Sequence, residues 1–267
     1  MKTLTIISGC EGSRNAYGQK DYESLAIRLV KSLRKNGGLY RDCSVVFCYD
    51  LDYSPSDITR KFLEDNYKCI FCPVPPAVLG VNPSIKASAC AMDFNTDYVL
   101  WLDTDIYINS SFEELLDIDV DVVVSPPSNS FNKWARKEEE AKWSLFYKSL
   151  GVSFPTENVI TLVDKKPCTL YFSSGIILFK NYLGFGQKYL EVIRKLSEVT
   201  EVEDRLEGLS QTALTATIVK YSFSYKTLSK KFHYCYVANG FKLDAGEKPS
   251  IIHYQDCIVK EIPEWDI

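Results

Sequence analysis

The sequence predicts an α/β domain, and three observations carry that expectation. The first is the run Tyr98 to Leu102, apolar at successive rather than alternating positions, as in a strand covered on both faces of a parallel sheet. The second is the alternation of such runs, near residues 4, 45, 70 and 98, with stretches of helical spacing. The third is composition: 46% of the 267 residues are hydrophobic and 25% charged, ordinary for a chain that buries a full core. No repeat or low-complexity tract divides the chain, so one domain is expected, with a first half over 1–127 and an elaborated second half over 128–267.

Leu4-Thr-Ile-Ile7 reads as the first strand. It stops at Ser8-Gly-Cys-Glu-Gly-Ser13, a small-residue loop where a nucleotide can lie close to the backbone of Ser8 and Gly9. Tyr22, Leu25, Ala26, Leu29, Val30 and Leu33 keep helical spacing until Asn36-Gly-Gly38 ends the helix. A strand from Cys43 to Tyr49 completes a right-handed crossover unit. The step repeats with a helix from Asp57 to Asn66 and a strand from Lys68 to Val74. Pro75-Pro76 and Asn82-Pro83 then bracket a loop, with Asn82 as cap and Pro83 in the first turn of a helix reaching Phe94. That helix feeds the Tyr98 strand, which gives a doubly wound half sheet.

Asp103 and Asp105 leave the carboxyl end of this buried strand, where open α/β sheets place their ligands. The spacing alone is weak, because Asp50-Leu-Asp52, Asp117-Ile-Asp119 and Asp119-Val-Asp121 share it. Asp50 and Asp52 end another apolar run, and residues 117–121 read as a loop entering the strand Val122-Val-Val-Ser-Pro-Pro127. Context therefore selects Asp103 and Asp105 as the metal site.

In the second half, residues 129–148 are rich in charge and carry Phe131, Trp134, Trp143, Phe146 and Tyr147, which predicts a flanking helix. Its aromatics fit either a core face or a sugar-binding face for an acceptor. A strand from Thr169 to Phe179 follows, then helices from Gln187 to Glu198 and from Glu207 to Lys220.

A net charge of -4 and a pI near 5.4 give no electrostatic reason to expect nucleic acid. No apolar run reaches the length of a membrane span, and the apolar opening is broken too early by Gly9 to serve as a secretory signal. A cytoplasmic protein, or a fragment stripped of its anchor, is expected. The nine cysteines are odd in number and lack metal-like spacing, which fits reduced thiols. Cys69-Ile-Phe-Cys72 has the spacing of a redox pair but lies inside a strand-like run, so it reads as structural. A glycan on Asn109-Ser-Ser111 would obstruct the neighbouring carboxylates, which again fits the cytoplasm.

The order of elements resembles the GT-A glycosyltransferases, most closely the retaining family of glycogenin and the lipooligosaccharide galactosyltransferases. Val99-Leu-Trp-Leu-Asp-Thr-Asp-Ile-Tyr-Ile108, followed by Phe112-Glu-Glu-Leu-Leu116, is similar to that family's metal motif. Lys86, on the preceding helix, stands where the family keeps a basic residue that reaches the donor. Tyr171-Phe-Ser-Ser-Gly-Ile-Ile-Leu-Phe179 resembles its donor-contacting strand, and Leu209-Ser-Gln-Thr-Ala-Leu214 the stretch whose glutamine lies near the anomeric carbon. Ile251-Ile-His-Tyr254 resembles the segment of a third metal ligand. The sequence departs at Ser173, where the family has asparagine, and at Ser210 and Thr212, where it has aspartates. The Gly and Lys-Pro-Trp expected after His253 are absent, and Lys260 falls one residue late.

The resemblance implies a Rossmann-like nucleotide-binding half on a mixed central sheet, and transfer of a sugar from a nucleotide-sugar, with UDP the usual nucleotide. It implies a divalent ion on Asp103, Asp105 and His253, with Mn²⁺ suited better than Mg²⁺ to carboxylates plus an imidazole. Ser8, Gly9, Lys86, Asp103, Thr104, Ser174, Gly175 and Lys260 would meet the donor. Gln211 would offer a carbonyl dipole beside the sugar cation if configuration is retained. If it is inverted, a carboxylate must deprotonate the acceptor, and Glu203, Asp204 and Glu207 are the candidates. The acceptor would be a glycan or a glycoprotein.

Two other readings compete. Haloacid-dehalogenase-like phosphatases also end a strand in Asp-x-Asp, but near the amino terminus and with a later acidic pair, whereas here the motif is mid-chain, residue 107 is Tyr and no adjacent Asp-Asp occurs. A non-catalytic nucleotide or glycan binder on the same fold is the other, favoured by the missing acidic groups at Ser210 and Thr212.

Overall fold

The computed structural model describes residues 2–10, 21–78, 85–130, 139–240, 246 and 248–254. The first half runs β1 (Leu4–Gly9), α1 (Tyr22–Asn36), β2 (Ser44–Tyr49), α2 (Asp57–Tyr67), β3 (Ile70–Pro73), α3 (Ile85–Cys90) and β4 (Tyr98–Leu102). The strands pair in parallel in the order β3-β2-β1-β4, the doubly wound half that the alternation predicts. Because the chain leaves β1 toward β2 and returns to the other side as β4, the switch in winding lies between β1 and β4.

The rest of the chain supplies β5 (Ile106–Ile108), β6 (Val122–Ser125), α4 (Glu140–Ser149), β7 (Asn158–Ile160), β8 (Pro167–Thr169) and β9 (Ser173–Lys180). Then come α5 (Phe185–Ser197), α6 (Leu209–Lys220), β10 (Tyr225–Thr227), β11 (Tyr234–Cys235) and β12 (Ile251–His253). The central sheet has seven strands in the order β10-β6-β9-β4-β1-β2-β3, and β9 runs antiparallel between β4 and β6, so the sheet is mixed. A smaller sheet, β11-β12-β5, stands beside it. Both halves of the chain contribute strands to the central sheet, in a single domain.

Burial explains the apolar run of β4. Val99 and Trp101 face a core formed with α3, α4, α5 and α6, while Tyr98, Leu100 and Leu102 face a second core formed with α1. Close approach of α5 to α3 needs Gly186, since a Cβ there would stand 1.7 Å from the Cys90 carbonyl oxygen. That contact seats α3, and with it Lys86, under the sheet.

Four expected elements differ from those observed. The strand foreseen from Lys68 begins at Ile70, because Lys68 takes a left-handed conformation (φ 55°) and caps α2 through Glu64 and Leu63. The strand foreseen from Thr169 to Phe179 divides, because the Phe172 N–H donates to Thr215 Oγ1 (3.0 Å) on α6 instead of to a neighbouring strand. The helix foreseen from Asn82 to Phe94 is described as Ile85–Cys90, with Asn82 and Pro83 outside the described residues. The helix foreseen over 129–148 is described as Glu140–Ser149, with Phe131 and Trp134 outside the described residues. Its Trp143, Phe146 and Tyr147 are buried in the core, so they form no exposed face for an acceptor.

Candidate active site

The site forms where β4 ends. The Ser8 hydroxyl donates to the Leu102 carbonyl (2.6 Å), joining the tips of β1 and β4 after their ladder has stopped at Ile7 and Trp101. The Asp103 N–H donates to the Gly175 carbonyl (2.9 Å), which ties the carboxylate's backbone to β9. A turn through Thr104, closed by the Ile106 N–H on the Asp103 carbonyl (3.2 Å), leads into β5. Antiparallel pairing of β5 with β12 sets His253 opposite Ile106, and the Tyr254 N–H reaches the Asp105 carbonyl (3.1 Å). Two sheets thus deliver Asp103, Asp105 and His253 to one place.

The two oxygens of Asp103 differ in environment. Oδ1 accepts the Trp101 indole N–H (2.7 Å) and an N–H of Lys86 (2.8 Å). Oδ2 faces Gly175 and His253: a Cβ on Gly175 would stand 3.3 Å from it and 2.8 Å from His253 Cε1. Lys86 is 2% exposed, and its ammonium also donates to the Ser174 carbonyl (2.8 Å) and the Ser174 hydroxyl (3.0 Å). An ammonium has three N–H donors, and all three are used inside the protein. The structure therefore sets Lys86 behind Asp103, where it orients the carboxylate.

His253 Nε2 lies 3.1 Å from Asp105 Oδ1, with both residues buried. Burial opposes charge on this imidazole, but Asp105, with Asp103 behind it, outweighs burial and holds the pKa above the ordinary histidine value. The other nitrogen, Nδ1, lies 3.0 Å from His233 Nε2. Burial, and then the neighbouring His253, push His233 well below the ordinary value, so it is the neutral member of the pair.

The donor set fits a divalent ion. Ligand atoms of Asp103, Asp105 and His253 all lie within 4.8 Å of one another. Oxygen and nitrogen ligands at about 2.0–2.6 Å from one ion necessarily stand within roughly 5 Å of each other. The space between them is kept clear by the missing side chain of Gly175.

Other expected residues are placed around this centre. Ser174 Oγ meets Ser210 Oγ (3.2 Å), so Ser210 is coupled to Lys86 and Asp103 through one hydroxyl. Gln211 Oε1 accepts from the Tyr171 hydroxyl, and Tyr171 is buried. Asp204 is held by Lys142 (2.8 Å), on α4. Thr104 is buried between the two aspartates. Lys260 lies outside the described residues. The Cys69 thiol is free, and burial pushes it up to about 12, in keeping with a structural role.

Three contributors were not foreseen from the sequence. Trp101 had a signal, being two residues from Asp103 and so on the same strand face. His233 and Tyr171 had none, since each meets its partner through pairing distant in the chain.

Comparison with known proteins gives the family and the fold. The Rhodobacterales glycosyltransferase domain family matches residues 17–221, a span that holds Asp103, Asp105, Gly175 and Gln211, while His233 and His253 lie beyond it. The chain superposes on mouse xyloside xylosyltransferase 1 in its apo form with a TM-score of 0.53 at 13% identity, covering 96% of this chain and 98% of that one. It superposes on the galactosyltransferase LgtC in complex with donor and acceptor sugar analogs with a TM-score of 0.56 at 15% identity, over 94% of this chain and 87% of that one. No curated protein sequence matches the chain. The chain belongs to the Rhodobacterales glycosyltransferase domain family and is a glycosyltransferase built on the GT-A fold.

Proposed function

We propose that this enzyme transfers a sugar from a UDP-sugar to a glycan or glycoprotein acceptor, with a divalent ion and with retention of configuration. The observation that carries the reading is the convergence of Asp103, Asp105 and His253 beside Gly175, at the switch point of the sheet. Bound there, Mn²⁺ or Mg²⁺ supplies Lewis acidity and a template for the leaving diphosphate. Asp103 (through Oδ2), Asp105 and His253 (through Nε2) would hold it, and Trp101 and Lys86 fix the first of them by engaging Oδ1. Lys86 adds positive charge from behind the carboxylate. The Ser8 hydroxyl is committed to Leu102, which leaves Gly9, with no side chain, for close approach of the nucleotide.

Retention is supported by the surroundings of Asp204 and Gln211. Asp204, a candidate base for inversion, is engaged within the protein by an ion pair with Lys142 (2.8 Å). Gln211, aligned by Tyr171, instead offers a neutral carbonyl dipole. The free thiols among the described residues favour a reducing compartment, and we place the enzyme in the cytoplasm. A sugar acceptor agrees with the acceptor analog bound by LgtC.

The second reading, a binding protein on the same fold, is favoured by one observation: Ser210 and Thr212, at the start of α6, are buried and uncharged. One experiment separates the two. Release of nucleoside diphosphate is measured from a panel of nucleotide-sugars, with and without Mn²⁺, alongside Asp105→Ala. Metal-dependent release from a UDP-sugar, lost in the variant, is the expected result; nucleotide binding with no release from any donor, even with glycan acceptors added, overturns the enzymatic reading.

A further inference from the structure

We infer that His233 is a positioning residue for metal binding: its Nε2 accepts the Nδ1–H of His253 and thereby presents the His253 Nε2 lone pair to the ion. The inference rests on the metal-dependent reading above. The chain has only two histidines, and both are in this pair. They are brought together by β11, which pairs in parallel with β12 and sets Cys235 opposite His253.

The geometry is that of a directed hydrogen bond. The nitrogens are 3.0 Å apart, the ring centroids 5.2 Å, and the ring planes differ by 28°. Such rings lie edge to edge and nearly in one plane, as a linear N–H···N bond requires. An ion on His253 Nε2 would set its direction, and the far end of the chain of bonds is compatible with it. The Ser125 hydroxyl donates to the Pro126 carbonyl (3.2 Å), so its oxygen is free to accept from His233 Nδ1–H. With an ion on His253 Nε2, its Nδ1 must carry the proton and the bare His233 Nε2 must accept it; in the metal-free protein the same Nε2 carries a proton and donates to Asp105 Oδ1 (3.1 Å), which an ion would displace. Ser125 is 0% exposed and His233 1%, so water has no access to replace either partner.

His233 is itself held rigidly. Its N–H donates to the Ser229 carbonyl (3.1 Å), and the Leu228 N–H donates to Val124 (2.8 Å) on β6. Metal-bound histidines depend on such partners for ring orientation and affinity. An imidazole partner also differs from a carboxylate in charge. Two aspartates, one divalent ion and the Lys86 ammonium leave one net positive charge at the site, and a neutral acceptor preserves it for an anionic diphosphate. A carboxylate in the place of His233 would cancel it.

The test is Mn²⁺ affinity, measured by electron paramagnetic resonance of the free ion, for the unmodified protein, His233→Gln, His233→Phe and Asp105→Ala. Glutamine keeps an acceptor near the Nε2 position, whereas phenylalanine keeps only the ring. The expected result is a loss of roughly tenfold or more in the Phe variant, with affinity largely retained in the Gln variant. Equal affinity in the Phe variant overturns the inference, as does an equal loss in both His233 variants, which would mean that packing alone matters. If the unmodified protein binds no better than Asp105→Ala, the metal-dependent reading itself fails, and the inference with it. Should the Phe variant not fold, the ¹⁵N imidazole spectrum of the unmodified protein with Mg²⁺ decides. Two Nδ1–H tautomers support the assignment, and a proton on His253 Nε2 overturns it.

Discussion

Trp101 donates its indole N–H to Asp103 Oδ1 across two residues at the end of β4, at 2.7 Å. The bond fixes which oxygen of Asp103 is left for a ligand. A strand places residues i and i+2 on one face, so the same alternation that buries Trp101 in the core aims its polar edge at the carboxylate. The Asp-x-Asp motif is therefore anchored from within its own strand.

Trp101→Phe keeps most of the apolar packing and removes this donor. A hydrogen bond to a charged group contributes about 1.5–3 kcal/mol, and 1.4 kcal/mol is about tenfold in an equilibrium. Mn²⁺ affinity in the variant is expected to fall roughly tenfold, with thermal unfolding of the metal-free protein shifted by only a few degrees. Titration of Mn²⁺ by calorimetry checks both the size and the place of the effect.

Lys86→Met removes the buried ammonium while keeping a side chain of similar length. Removing one partner of a buried ion pair costs about 3–5 kcal/mol, and the lower end applies because Asp103 remains 29% exposed. Urea unfolding should show a loss near that lower end. In the Lys86→Met background, Asp103→Asn should recover much of it, because the stranded charge is gone; strict additivity of the two losses would show that the pair is not the cause.

Glu191, on α5, accepts from the Tyr221 hydroxyl (2.7 Å), Lys220 (2.9 Å) and Lys195 (2.9 Å), and these bonds hold its carboxyl down to about 2. A carboxyl whose folded-state pKa is depressed contributes stability at pH values above its unfolded pKa, here about 4.5, and loses it as pH falls toward 2. Because the side chain is 43% exposed, solvent screening limits the contribution to about 1 kcal/mol or less. Glu191→Gln should be slightly less stable than the unmodified protein at pH 7 and equal to it near pH 2. A deficit that persists unchanged through acid would assign the effect to the lost hydrogen bonds alone.

How much of this was legible depended on the range over which each residue finds its partners. The order β1 to β4 followed from period and turn chemistry, both local, and Asp103 and Asp105 followed from position at the end of a fully apolar run. That the central sheet is mixed came only with the family resemblance, and the antiparallel insertion of β9 between β4 and β6 was not foreseen, since no local pattern records which strands become neighbours. Trp143 and Tyr147 kept helical spacing, but spacing alone does not tell a core face from a binding face. The role of Lys86 changed for the same reason: a lysine is read from sequence as a free cation, and only its enclosure by Asp103 and Ser174 shows its three donors already used.

Gly175 carries the last prediction, because its effect is steric and needs no assumption about charge. A methyl at this position would stand 2.8 Å from His253 Cε1, 3.1 Å from His253 Nδ1 and 3.3 Å from Asp103 Oδ2. Contacts this short force a neighbour to move, and overpacking of this kind costs about 1–3 kcal/mol. His253 cannot retreat without leaving His233 or Asp105, each about one hydrogen bond away. Gly175→Ala should therefore fold with reduced stability and lose Mn²⁺ affinity by more than tenfold, because relief comes through separation of the ligands. If stability falls while Mn²⁺ affinity is unchanged, the methyl has been accommodated on the β9 side and the ion does not sit between Asp103 and His253.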